Sequence, residues 1–187
     1  MTTTTWVLVA IAALLIGGLA VWAATRSRRS RALRERFGPE YERELEVTGS
    51  RGQAEKELER RETRAEGLQL RPLDAAARER YARRWKDVQA RFVDSPAAAA
   101  AEAEALLNEV MESRGYPVGD FEQRAADLSV HYPGMVQHYR GAHEIATRAA
   151  RGQADTESLR QALVHYRALF QELLHRDAES GARPSTG

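Results

Sequence analysis

The chain has 187 residues, of which 29% are charged, and its 28 basic and 27 acidic side chains leave a formal net charge of +1. So even a balance argues against a general nucleic-acid binder, whose domain carries a basic excess. The absence of cysteine excludes disulfides, thiolate metal sites and a cysteine nucleophile.

The first element is the run WVLVAIAALLIGGLAVWAA, Trp6 to Ala24, 19 residues without a charge. At the α-helical rise it extends about 28 Å, close to the hydrocarbon thickness of a bilayer. A helix apolar on every side needs lipid or a large protein core around it, and a chain with a mean hydropathy of -0.55 has little to build one from. Trp6 and Trp22 lie near the ends of the run, where indole rings favour the headgroup zone. A cleaved secretion signal starts with positive charge and has a shorter apolar middle, whereas MTTTT has no charged side chain. Residues 1–25 therefore read as a permanent transmembrane anchor, with a secreted helical protein as the alternative if the segment is removed.

Residues 26–37 form a basic juxtamembrane segment, with Arg26, Arg28, Arg29, Arg31, Arg34 and Arg36 set against Glu35 for a net of +5. Arginine beside a span stays cytoplasmic. This predicts an N-terminus outside, a single crossing and a cytoplasmic C-terminal domain. The six arginines are also the candidate contact with anionic lipid headgroups, each worth on the order of 1 kcal/mol near the surface.

Residues 38–71 read as a charged, possibly broken connecting helix. Pro39 suits a first helical turn, while Gly49 and Gly52 each weaken a helix by up to about 1 kcal/mol and predict a bend or short break. Ala54, Leu58, Ala65 and Leu68 then make a thin apolar stripe in a charged surface, short of the sustained heptads of a coiled coil.

From residue 72 to residue 176 the pattern predicts a bundle of about five amphipathic helices. The first carries Ala77, Tyr81, Trp85, Val88 and Phe92 at steps of four and three. The second has Ser95 as N-cap, Pro96 at its first position and Gly115 after its last turn, with Leu106, Leu107, Val110 and Met111 inward. The third starts on Asp120 with Gln123 three residues on and buries Phe121, Ala125 and Leu128. The fourth packs Met135 or Val136, Tyr139, Ala142, and Ile145 or Ala146. The fifth uses Thr156 as cap and Leu159, Leu163, Tyr166, Phe170, and Leu173 or Leu174 as its stripe. Residues 177–187 read as a disordered polar tail. The fold class is all-α.

The search for chemistry finds no nucleophile elbow, dinucleotide fingerprint or phosphate loop. HEIAT, His143 to Thr147, opens like a zinc-protease motif but has Thr147 where the second imidazole must stand. His138 and His143 lie about 140° apart around a helix, and His131 and His165 have neither histidine nor carboxylate three or four residues on. No catalytic, cofactor or metal site is expected. Carboxylates two apart, such as Glu102 and Glu104, point to different sides and read as solvated surface or caps. The most distinctive text, Met111 to Arg140, sets a short polar helix between two proline turns. Its Asp120, Glu122, Gln123, Arg124, His131 and Tyr132 are the candidate exposed surface for a protein partner, the alternative being that they cap helices and pair across the bundle.

The stretches RERFGPEYERE, LRPLDAAARERYARRWKDVQARFVDSP, VMESRGYPVGDFEQRAADLSVHYP and LRQALVHYRALFQELL resemble an uncharacterised family of bacterial single-pass, membrane-anchored α-helical proteins, described as hypothetical, membrane or secreted. The resemblance covers about Arg34 to Leu174. It implies a membrane helix, a helical remainder at the bacterial inner membrane, and no activity to carry over. The expected function is a membrane-tethered cytoplasmic interaction or scaffold module, not an enzyme, that binds a protein partner or a second copy of itself. No cofactor, nucleic acid or small-molecule substrate is expected. The alternative is a peripheral lipid- or envelope-organising protein acting through the arginine cluster.

Overall fold

The computed structural model describes residues 3–180, with the side chains of residues 3–5, 7–10, 12 and 176–180 outside that description. Its elements are α1 (Thr3–Phe37), α2 (Pro39–Thr48), α3 (Arg51–Glu66), α4 (Ala75–Arg91), α5 (Pro96–Ser113), α6 (Phe121–His131), α7 (Pro133–Ala150) and α8 (Thr156–Ser180). No strand occurs among the described residues, and the chain is all-α. It divides into two units, residues 1–58 and 59–187, with the boundary inside α3.

In the first unit α1 runs unbroken for 35 residues, so the apolar run and the basic segment are one helix. Every residue from Ala13 to Arg29 is exposed, including Leu14 at 77% and Ile16 at 68%. Among the described residues no helix is long and apolar enough to cross a membrane. Of the expected span Trp6–Ala24, the side chains of residues 7–10 and 12 lie outside the described residues. Burial begins at Ser30 and Leu33 and continues through Phe37, Tyr41, Ala54 and Leu58. Gly38, at φ 51, turns α1 into α2, where Pro39 takes the first position. Gly49, at φ 63, ends α2 with its N–H on the Leu45 carbonyl. The expected break is therefore at Gly49 and Ser50, and Gly52 already lies inside α3.

The second unit holds the bundle. α5 packs against α4, α7 and α8, α7 runs along α8, and α6 lies on α7. The spacing in α4 puts Ala77, Tyr81, Trp85 and Val88 into the core and leaves Phe92 half-buried. Trp85 stacks on Phe170 of α8 with ring centroids 4.7 Å apart. Ala99, Ala100 and Ala103 give α5 a smooth, fully buried face.

Asp120 caps α6 as its sequence signal predicts, accepting from Gln123 N–H at 2.8 Å, and the structure adds a cap at Asp74, which accepts from Ala77 N–H at 2.6 Å. Others differ. Ser95 holds the N-cap position of α5 without a side-chain hydrogen bond. At α8 the cap is Asp155, which accepts from Ser158 N–H at 2.7 Å, and Thr156 is the first helical residue. A carboxylate one residue earlier both accepts the hydrogen bond and complements the positive end of the helix. α8 also continues through Ser180, four residues into the expected tail, because RDAES contains no helix breaker before Gly181. Residues 181–187 lie outside the described residues.

Past the end of α5, Gly115 has φ +93, and a Cβ there would stand 2.5 Å from the Gln69 carbonyl oxygen. The Arg71 N–H bonds the Arg114 carbonyl at 3.0 Å and holds this approach in place. Gly115→Ala is expected to lower the unfolding free energy by about 1–3 kcal/mol in chemical denaturation. Gly134→Ala, in α7 with open space around the added Cβ, is the control and should leave stability unchanged or slightly raised.

Candidate functional site

All six tyrosines of the chain are buried. A phenol taken out of water needs a replacement partner for its hydroxyl, and those partners organise the polar interior. Glu104 and Asn108 stand one turn apart on α5. Glu104 accepts from the Tyr166 hydroxyl at 2.9 Å through Oε2, and its Oε1 lies 2.7 Å from His143 Nδ1. The Phe121 ring stacks on His143 with centroids 3.7 Å apart. Asn108 Oδ1 accepts from the Tyr139 hydroxyl at 3.3 Å, and that oxygen accepts in turn from Arg124 Nε at 3.2 Å. Burial raises the Tyr166 and Tyr139 phenols above their ordinary value of 10.0, and at Tyr166 the Glu104 charge raises it further.

With a carboxylate as acceptor, His143 carries its hydrogen on Nδ1 and directs Nε2 away from Glu104. Each oxygen of Glu104 thus has a donor, so the group serves internal pairing. Its expected role as solvated surface is corrected: Glu104 is half-buried. Its partners lie 39 and 62 residues away in sequence, beyond any local spacing.

The six residues expected as an exposed partner surface separate. Asp120 and Glu122 are exposed, with Asp120 capping α6 and Glu122 paired to Arg140 at 2.7 Å. Gln123 is half-buried and donates to Asp127 at 3.0 Å. Arg124, also half-buried, joins Tyr139 and the Gly119 carbonyl. His131 Nδ1 lies 3.3 Å from the Tyr116 hydroxyl. Tyr132 is a correction: it is 4% exposed, and its hydroxyl accepts from Arg114 at 3.0 Å. Pro133 opens α7 directly after it, which places the ring at the α6–α7 junction facing the core.

Deeper still is Asp127, fully buried, whose Oδ1 accepts from Arg64 Nε at 2.8 Å as well as from Gln123. Between the start of α4 and the end of α8 there is a groove of about 380 Å³ lined by Ala75, Arg78, Glu79, Ala82, Leu174 and His175. Among the described residues no group of three histidine, cysteine, aspartate or glutamate side chains is placed to hold a metal ion.

In the first unit the polar centre is the buried Glu55 carboxylate. It accepts from the Ser30 hydroxyl, from Tyr41 at 3.0 Å and from Arg51 Nε at 2.9 Å, with Arg26 at 4.0 Å. Burial pushes this carboxyl up, but the hydrogen bonds from Ser30, Arg51 and Tyr41 outweigh it and hold the group below its ordinary 4.5. The six arginines of the basic segment are all exposed, yet they differ. Arg26 lies over the Trp22 ring as well as near Glu55. Arg34 pairs with Glu42 at 3.1 Å and lies over Tyr41. Arg29 and Arg36 are engaged too. Arg28 and Arg31 have no such partner among the described residues.

Comparison with family models, with curated proteins and with solved structures returns no match for this chain.

Glu104→Ala is expected to cost about 1–3 kcal/mol, because it leaves the Tyr166 hydroxyl without its acceptor, and Tyr166→Phe about 0.5–1.5 kcal/mol. In a double-mutant cycle by urea denaturation the double variant should cost less than the two singles together. A carboxyl held low in the folded state stabilises above its unfolded pKa, and that contribution disappears as pH falls through the folded value. The first unit should therefore lose stability as pH drops below about 4.5, and Glu55→Gln should flatten that part of the acid profile followed by circular dichroism.

Proposed function

We propose that the chain is a membrane-tethered helical binding module, with the first half of α1 held in lipid and the α4–α8 bundle presented to a protein partner on the arginine-bearing, cytoplasmic side. One observation carries the tether: seventeen consecutive residues of α1, from Ala13 to Arg29, are exposed. Consecutive exposed positions cover every face of a helix, so the apolar ones among them meet no protein surface. An exposed apolar surface of that kind marks an interaction site, and a run of 19 uncharged residues matches a bilayer better than a protein groove. The resemblance to bacterial membrane-anchored helical proteins points the same way.

Binding rather than catalysis is favoured by the use of the bundle's polar groups. Glu104, Asn108, His143, Tyr139 and Tyr166 are occupied with one another. Asp120 at the start of α6 and Glu122 in its first turn are exposed while capping the helix and pairing with Arg140, and they form the polar surface offered to a partner. A second reading, contact with anionic headgroups, is favoured by Arg28 and Arg31, which stand three apart on one side of α1 and are exposed.

The tether is tested by alkaline carbonate extraction of membranes from cells expressing the full chain. The protein should stay in the pellet, and the double variant Leu15→Asp, Leu19→Asp should move to the supernatant; extraction of the unaltered protein removes the proposal. For the partner, affinity purification from detergent extracts should return a stoichiometric protein, with recovery reduced by Glu122→Arg. For the second reading, Arg28→Gln with Arg31→Gln should weaken binding to anionic vesicles and leave binding to neutral ones unchanged.

A further inference from the structure

Two histidines on neighbouring helices meet at the α7–α8 seam. His138 Nδ1 and His165 Nδ1 stand 2.9 Å apart, with the ring centroids at 4.8 Å and the planes inclined by 30°. Both residues are half-buried and so keep some contact with solvent. The helices that carry them are fixed to one another by the Tyr139 and Tyr166 rings, in edge contact at 6.4 Å, and by Glu104, which holds Tyr166 from α5. A pair of ligands on two rigid, mutually packed helices is preorganised.

The separation of the two nitrogens can be set against the spacings that metal coordination requires. Metal–imidazole bonds run about 2.0–2.1 Å. Two such bonds at the tetrahedral angle put their nitrogens about 3.3–3.4 Å apart, whereas two cis bonds at a right angle put them about 2.9 Å apart. The observed 2.9 Å matches the cis spacing, and it is equally the length of an N–H···N hydrogen bond. Right-angled nitrogen ligation is the preference of tetragonal Cu2+ and Ni2+, and Cu2+ stands highest in the affinity order of divalent first-row ions.

The geometry points to a two-histidine clamp, His138 with His165, that takes a tetragonal divalent cation, Cu2+ or Ni2+, and bridges α7 to α8. Water or an external ligand completes the coordination from the solvent side. Binding needs both rings neutral.

The test uses the full chain in detergent, free of chelators, at about pH 7.5, where unperturbed histidine is neutral. One equivalent of CuCl2 should give an electron paramagnetic resonance spectrum with coupling to two nitrogens, and excess NiCl2 should raise Tm by about 3 °C or more. His138→Gln and His165→Gln should each lose both effects, while His143→Gln and His175→Gln keep them. In the unaltered protein, substoichiometric Cu2+ should broaden the imidazole resonances of His138 and His165 before those of the other three histidines, which decides the matter even if a variant fails to fold. Absence of Cu2+ and Ni2+ binding, or binding untouched by both clamp substitutions, overturns the site and leaves the pair a plain N–H···N hydrogen bond. Zn2+ competing as well as Ni2+ overturns the tetragonal geometry.

Discussion

Burying a tyrosine sets a condition that the neighbouring helices have to meet, because the ring stabilises by leaving water while its hydroxyl loses free energy unless another polar group replaces the solvent. Here the condition applies six times. Glu55 serves Tyr41, Ser113 serves Tyr81, His131 serves Tyr116, Arg114 serves Tyr132, Asn108 serves Tyr139 and Glu104 serves Tyr166. Five of these contacts join different elements of the bundle or its turns, and each fixes one register that apolar packing alone leaves loose. A helix slipped by one turn keeps much of its apolar stripe inward but strands at least one hydroxyl. Specificity of packing in this bundle thus comes from phenols and their hydrogen-bond partners, with the apolar contacts supplying most of the driving force.

What the sequence made legible was whatever repeats or punctuates locally. The spacing of Tyr81, Trp85 and Val88 names the inner face of α4, and Val136, Tyr139, Ala142 and Ile145 do the same for α7. Pro39, Pro96 and Asp120 mark starts, and Gly49 marks a stop. One start is displaced by a residue, since Thr156 reads as the cap of α8 and Asp155 takes that place. The interior pairing was illegible for a different reason. Glu104, His143 and Tyr166 belong to three helices, and each residue alone looks like surface or plain core. Tyr132 fits either an exposed turn or a buried junction, and only the course of α7 after Pro133 decides for burial. His138 and His165 are likewise 27 residues apart, so ligand spacing within one helix could not bring them together.

In the first unit the arginines have divided roles. Arg26 and Arg34 are bound up with Glu55, Glu42 and the rings of Trp22 and Tyr41, while Arg28 and Arg31 face outward. A cluster read from composition as a single electrostatic patch is thus part structural clasp, part free charge. Because α1 has no break between its apolar and basic halves, a rotation or tilt imposed on one half is delivered to the other. Glu55 receives it, as the side chain that grips α1 through Ser30.

Arg114 is 3% exposed, and its guanidinium donates to the Leu173 carbonyl at 2.6 Å as well as to Tyr132. One cation thereby joins the last turn of α5, the corner between α6 and α7, and a carbonyl 59 residues downstream. Trimming by an exopeptidase meets an electrostatic stop there: digestion beyond Leu173 removes an acceptor from a charge that water cannot reach. That carbonyl sits where the apolar stripe of the final helix ends, at Leu173 and Leu174, so trimming to this point removes the packing and the acceptor together.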